Sequence, residues 1–120
     1  MHTVIVYDLE SARRALACAH PGDGSVRLVS PEGGVAQVGA AFYLALGREL
    51  GREVIIDATG YPGYALEALR LGARCVLYRG DGEQRKRLDE IARAMGARVY
   101  GRLPPQKKSP PGPREAFAEP

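Results

Sequence analysis

Five short runs rich in β-branched and aliphatic residues alternate along this chain with longer segments whose apolar positions recur at helical spacing. "TVIVY" predicts a first strand, and "LESARRALACA" a helix with Leu9, Ala12, Leu16 and Ala19 on one side. "HPGDG" turns the chain into "SVRLVS", the second strand, and "PEGG" leads into "VAQVGAAFYLALGREL", the longest helical run, which Gly51 ends in the usual C-terminal position. "EVIID" is the third strand. "ATGYPG" opens the helix "YALEALRL", stopped by Gly72, and "ARCVLY" is the fourth strand. After the loop "RGDG", the helix "EQRKRLDEIARAM" turns Leu88, Ile91, Ala92 and Met95 inward, and "ARVYG" is the fifth strand.

Strictly alternating strands and helices imply right-handed crossovers and a parallel sheet. The strands are near-continuous apolar runs, the pattern expected when both faces of a sheet are covered. The expected fold is therefore α/β: a five-stranded parallel sheet, doubly wound, in the flavodoxin-like order 2-1-3-4-5. Half of an α/β barrel, completed by another subunit, is the alternative that periodicity does not separate from it. Residues 1–103 form the expected single domain. Residues 104–120 carry prolines at 104, 105, 110, 111, 113 and 120, which forbid the usual last helix and predict an extended or disordered tail.

Without that helix, part of one sheet face needs another cover. The long second helix also spreads Val38, Phe42, Tyr43, Leu44 and Leu46 around more of its circumference than one buried stripe requires. Apolar surface of this kind marks association sites, so a homo-oligomer, a dimer in the simplest case, is expected through the sheet face, the second helix, or both.

Composition narrows the function classes. The 120 residues are 45% hydrophobic and 26% charged, ordinary for a globular chain. The net charge of +3 is dispersed, and the sharpest basic run, "QRKRLDE", spaces its acids and bases four apart as on a solvated helix face. No aromatic residues interleave with it, so nucleic acid is not the expected partner. Cys18 and Cys75 form no C-x-x-C pair, and His2 and His20 stand alone, which argues against a disulfide framework and structural zinc. The chain starts directly in a strand and contains no long apolar span, so a cytoplasmic location without a membrane anchor is expected.

In a doubly wound sheet, ligands collect beyond the carboxyl ends of the strands where the order reverses. With order 2-1-3-4-5 that crevice lies between the first and third strands. It would gather Asp8, Asp57, Thr59 and Gly60, flanked by Ser30, Glu32, Gly33 and Gly34 and by Arg79. Two adjacent carboxylates suit Mg²⁺ or an acid–base pair, whereas open amides at helix N-termini suit an anion, with Arg79 or Arg102 as its counter-charge. The same residues also serve structure: Asp8 as a helix cap, Asp57 or Thr59 as a cap or Asx turn, Pro62 in a first helical turn. No dinucleotide, P-loop or triad signature is present, so no positive signature of catalysis exists.

"VIVYDLESARRAL", "LVSPEGG" before an aromatic-bearing apolar helix, and "DATGYPGYALEALRLGARCVLY" resemble a family of small bacterial α/β proteins without an assigned activity. That resemblance covers roughly residues 3–103 and implies a fold and a cytoplasmic location but no mechanism. A second resemblance, to response-regulator receiver domains, rests on "VIVYD", "VIIDATGYPG" and "AMGARVYGRLP". It implies Asp57 as phospho-acceptor and Asp8 as ion ligand. The departures are Tyr7 in place of a second acid, Arg79 in place of Thr or Ser, Arg102-Leu103 in place of Lys-Pro, Pro62 one place late, and the missing last helix.

The expected function is thus a cytoplasmic, oligomeric α/β module that binds a small anionic ligand at the carboxyl ends of its strands. The alternatives are a metal-assisted enzyme built on Asp8 and Asp57, with Mg²⁺ as cofactor, and a degenerate receiver-like module that binds partners.

Overall fold

The computed structural model describes residues 2–18, 26–80 and 82–103. The tail 104–120, the turn around "HPGDG" and the inward position expected of Ala19 lie outside the described residues. Five parallel strands, β1 (His2–Ile5), β2 (Val26–Val29), β3 (Val54–Asp57), β4 (Cys75–Leu77) and β5 (Arg98–Tyr100), alternate with helices α1 (Leu9–Ala17), α2 (Gly34–Val38), α3 (Ala40–Leu50), α4 (Pro62–Arg70) and α5 (Glu83–Ala94).

The strand order is β1-β2-β3-β4-β5, which corrects the expected 2-1-3-4-5. Each crossover steps one strand in the same direction, so the order never reverses and the sheet is singly wound. Right-handed crossovers of one direction place every helix on the same face. The helices accordingly pack in chain sequence, α1 on α3, α3 on α4 and α4 on α5. In a doubly wound sheet α1 and α3 would be on opposite faces. The consecutive order is the one the half-barrel alternative requires.

Side-chain alternation then divides the strands between two environments. Val4, Val6, Leu28, Val54, Ile56, Val76, Tyr78 and Val99 point to the helices and join Ala12, Tyr43, Leu46, Ala65, Leu69, Leu88 and Ala92 in the main core. The opposite face carries a separate small cluster of Val29, Ile55 and Leu77, bordered by Cys75, Tyr100 and Leu103. Apolar residues on both faces of the strands thus do not require helices on both faces.

Two further expectations change. The run over residues 35–50 is not one helix: Gly39, at φ +85° and ψ 158°, breaks it into α2 and α3. That backbone region is essentially reserved for glycine. The break lets Tyr43, 3% exposed, tuck against Gly34, whose missing Cβ makes room for the phenol hydroxyl. Met95 does not point inward; it caps the end of α5 and is 49% exposed, while Leu88 and Ala92 are buried as expected. The stop at Gly51 is left-handed, at φ +67°, and Pro62 opens α4.

Candidate functional site at the carboxyl rim of the sheet

Asp57 ends β3, and its alternation with Ile55 sets its side chain on the face away from the helices, beside its register partner Leu77. It is 2% exposed. Burial of a carboxylate is costly unless it is paired and hydrogen-bonded, and here it is both. Oδ1 accepts the Thr59 amide at 3.1 Å, closing an Asx turn, and Oδ2 accepts Nη1 of Arg79 at 3.2 Å. The Asp57 amide donates to Oγ of Ser30 at 2.8 Å, so the buried Ser30 locks the β2 tip to the β3 tip. The Arg79 amide donates to Oγ1 of Thr59 at 3.0 Å, which ties the β4 tip to the same turn.

Four of the sequence-derived candidates, Ser30, Asp57, Thr59 and Arg79, therefore form one hydrogen-bonded cluster over three adjacent strand ends. Glu32 joins its edge, with Oε1 4.0 Å from Nη1 of Arg79. Glu32 is largely exposed, so this pair contributes little. The Arg79 side chain is about half exposed, held at one end by Asp57 and open at the other.

Asp8 is not part of this cluster. With β2 between β1 and β3, the strands carrying the two aspartates are not neighbours, so the expected crevice between them does not form. The Asp8 carboxylate caps α1, accepting the Ser11 amide at 2.7 Å. The backbone and hydroxyl hydrogen bonds from Ser11 hold its pKa below the ordinary value, with Arg14 adding a smaller push in the same direction.

The glycines serve turns. Gly33 precedes α2 at φ +80° and Gly60 lies in the β3–α4 turn at φ +85°. Gly34 is buried against Tyr43 and Pro31. Arg102 is exposed beyond β5 and takes no part in the cluster. The α4 N-terminus has no side-chain cap, and Tyr61 and Tyr64 stand there edge to face, their ring centres 6.0 Å apart and both exposed. This pair was not singled out from sequence; its signal is the spacing of aromatics in "YPGY" around a first-turn proline.

No group of three or more His, Cys, Asp or Glu among the described residues is arranged to hold a metal ion. Two of the surface concavities lie elsewhere: one beside α5 and β5, lined by Asp89, Arg93 and Tyr100, and one at the opposite ends of β3 and β4, lined by Arg48, Arg52 and Arg74. No helix among the described residues is long and apolar enough to cross a membrane. No family model matches the chain, and comparisons with curated proteins and with solved structures find no match.

Proposed function

We propose that this α/β protein binds a small anionic ligand at the carboxyl rim of its sheet, with Arg79 as the recognising cation, and that it does so without catalysing a reaction. The observation that carries this reading is the half-exposed guanidinium of Arg79, fixed at one end by the buried Asp57 carboxylate and tied through Thr59 to the turn that opens α4. A guanidinium offers five donors in a rigid fork. Asp57 takes one, and the outward edge is available to a phosphate or carboxylate once the weakly held Glu32 swings away. The uncapped amides of α4 lie at the end of the same turn, where the helix dipole favours negative charge. Asp57 in this reading positions Arg79 and does not itself touch the ligand.

The cytoplasm is the proposed setting, and a homodimer the proposed assembly. Val38 and Phe42, 51% and 38% exposed along α2 and α3, supply an apolar contact surface for it. A monomeric mass by light scattering at micromolar concentration would remove the dimer. Mg²⁺-assisted catalysis and phosphoryl acceptance both need Asp8 and Asp57 to act together. The intervening β2 and the engagement of both carboxylates favour neither.

A thermal-shift series with inorganic phosphate, sugar phosphates and nucleotides, each with and without Mg²⁺, tests the binding reading. A ligand at about ten times its Kd contributes about 1.4 kcal/mol, which raises Tm by roughly 5–10 °C in a domain of this size. The expected result is a rise in the native chain that Arg79→Gln abolishes. Equal shifts in both proteins, or none with any anion, would reject it.

A further inference from the structure

The amino-terminal end of the sheet carries a basic concavity remote from the Arg79 cluster. Its volume is about 380 Å³, within the size range of small-molecule sites. It lies between the C-terminal ends of α3 and α4, where the chain turns back into β3 and β4. Arg48 and Arg52 come from the α3–β3 side and Arg74 from the α4–β4 connection, and Glu53 is the only acid of the described lining. Leu44 and the half-exposed Leu71 give it apolar surface.

Arginines near helix C-termini commonly serve the helix, by bonding its last carbonyls or by opposing its dipole. Those roles account for little here. Backbone amides already take carbonyls at both ends: Gly51 and Arg52 donate to Arg48 and Gly47 of α3, and Gly72 and Ala73 to Leu69 and Ala68 of α4. The dipole acts within the last turn, which holds Arg48 but neither Arg52 nor Arg74. Arg74 pairs with Glu53 at 3.9 Å, both exposed, so that contact is weak. Among the described residues Arg48 and Arg52 make no side-chain hydrogen bond or ion pair. Arg52 is nevertheless fixed from its backbone: its amide donates to Gly47 at 2.9 Å, and a Cβ on Gly47 would meet its carbonyl at 2.7 Å.

We propose that this concavity is a second anion site, which takes a phosphate monoester carrying an apolar group. Two unpaired guanidiniums match the nearly two negative charges of such a phosphate and can meet its oxygens with paired donors. Leu44 and Leu71 then receive the apolar part. No aromatic residue stands in the described lining, so a nucleic-acid strand would find no stacking platform there. The site is independent of Arg79. The four residues of β3 hold the two ends of the sheet apart by about 13 Å, at roughly 3.3 Å per residue.

Amide chemical shifts of the ¹⁵N-labelled full-length chain test this directly, with phenyl phosphate, inorganic phosphate and a short single-stranded oligonucleotide as probes. Phenyl phosphate is expected to shift the amides of Gly51, Arg52, Gly72 and Ala73 saturably, and at lower concentration than inorganic phosphate does. The double variant Arg48→Gln/Arg52→Gln is expected to need about tenfold more of it, the effect of losing a charge-assisted hydrogen bond. In Arg79→Gln the same shifts are expected to persist, which separates this site from the carboxyl rim. The dispersion of each spectrum shows that the variant is folded. Absence of saturable shifts at these amides, an unchanged curve in the double variant, loss of the shifts in Arg79→Gln, or equal response to both phosphates would overturn the proposal. A response to the oligonucleotide alone would overturn it too, and make this surface a nucleic-acid contact.

Discussion

Arg79, one residue past the β4 tip, reaches back to the neighbouring strand and donates Nη1 to Oδ2 of Asp57 at 3.2 Å, while its own amide donates to Thr59, two residues beyond that aspartate. Side chain and backbone of one arginine thus clamp both ends of the Asp57–Thr59 turn. Removing the guanidinium leaves a carboxylate 2% exposed whose remaining partner in the cluster is the backbone amide of Thr59.

Arg79→Gln is accordingly expected to lower stability by about 1–3 kcal/mol, less than the roughly 3–5 kcal/mol for breaking a fully buried pair, because the arginine end is half in water. Asp57→Asn keeps an acceptor for Thr59 and removes the charge that needs Arg79. The double variant is therefore expected to be less destabilised than the sum of the singles, by about 1 kcal/mol. Urea unfolding of the four proteins measures this, and strict additivity would mean that the two side chains do not act as a pair.

Gly34 and Tyr43 form a second testable couple. A Cβ at Gly34 would run into the Tyr43 hydroxyl and Pro31, so Gly34→Ala is expected to cost about 1–3 kcal/mol through overpacking. Tyr43→Phe removes the atom in the way. In its background the alanine is expected to cost measurably less, as a thermal-melt double-mutant cycle would show. The Tyr43 pKa is raised by burial, so an ultraviolet alkaline titration is expected to show a late phenol ionisation that Tyr43→Phe removes.

Asp8 links stability to acid. Its folded pKa lies below its ordinary value because the Ser11 backbone and hydroxyl hydrogen bonds favour the ionised form. A depressed carboxylate pKa gives stability that is present above the unfolded value, about 3.9, and is lost as pH falls through the folded one. Asp8→Asn retains a capping acceptor and loses this titration. The native chain is expected to exceed the variant in Tm at pH 6 and to converge with it as pH falls through the folded pKa. A difference independent of pH would separate Asp8 from the acid response.

The two cysteines are expected to differ in reactivity. Cys75 is half-buried at the margin of the second cluster, and burial followed by the nearby Glu53 raises its thiol pKa, with Arg74 and Arg98 opposing. Cys18 is exposed at the end of α1. Thiolate is the reactive form, so a disulfide reagent at pH 7.5 should modify Cys18 in a fast phase and Cys75 in a slow one. The slow phase should be absent from Cys75→Ser.

Local structure was largely legible in the sequence because its causes are local. "VIID" followed by "ATGYPG" specifies a buried strand, an Asx turn and a helix opened by proline; these residues also hold the centre of the rim cluster. The break at Gly39 was not legible, since an isolated glycine within a helical pattern is usually tolerated and what opens the chain here is Tyr43 fitting against Gly34. The Asp57–Arg79 pair spans 22 positions and needs β3 and β4 side by side. Both residues were candidates, but their contact was not readable from spacing.

The pattern of apolar and polar positions by itself determined the α/β class, five strands, and the turn chemistry at their ends, because each depends on the preferences of residues close together in the chain. Only the tertiary structure decided that the strands run β1-β2-β3-β4-β5, with every helix on one face. The direction in which a crossover steps leaves no mark on its strand and helix, since the same apolar run can be buried beside either neighbour. That one choice inserted β2 between the two aspartates, returned Asp8 to its cap, and left Asp57 to pair with Arg79.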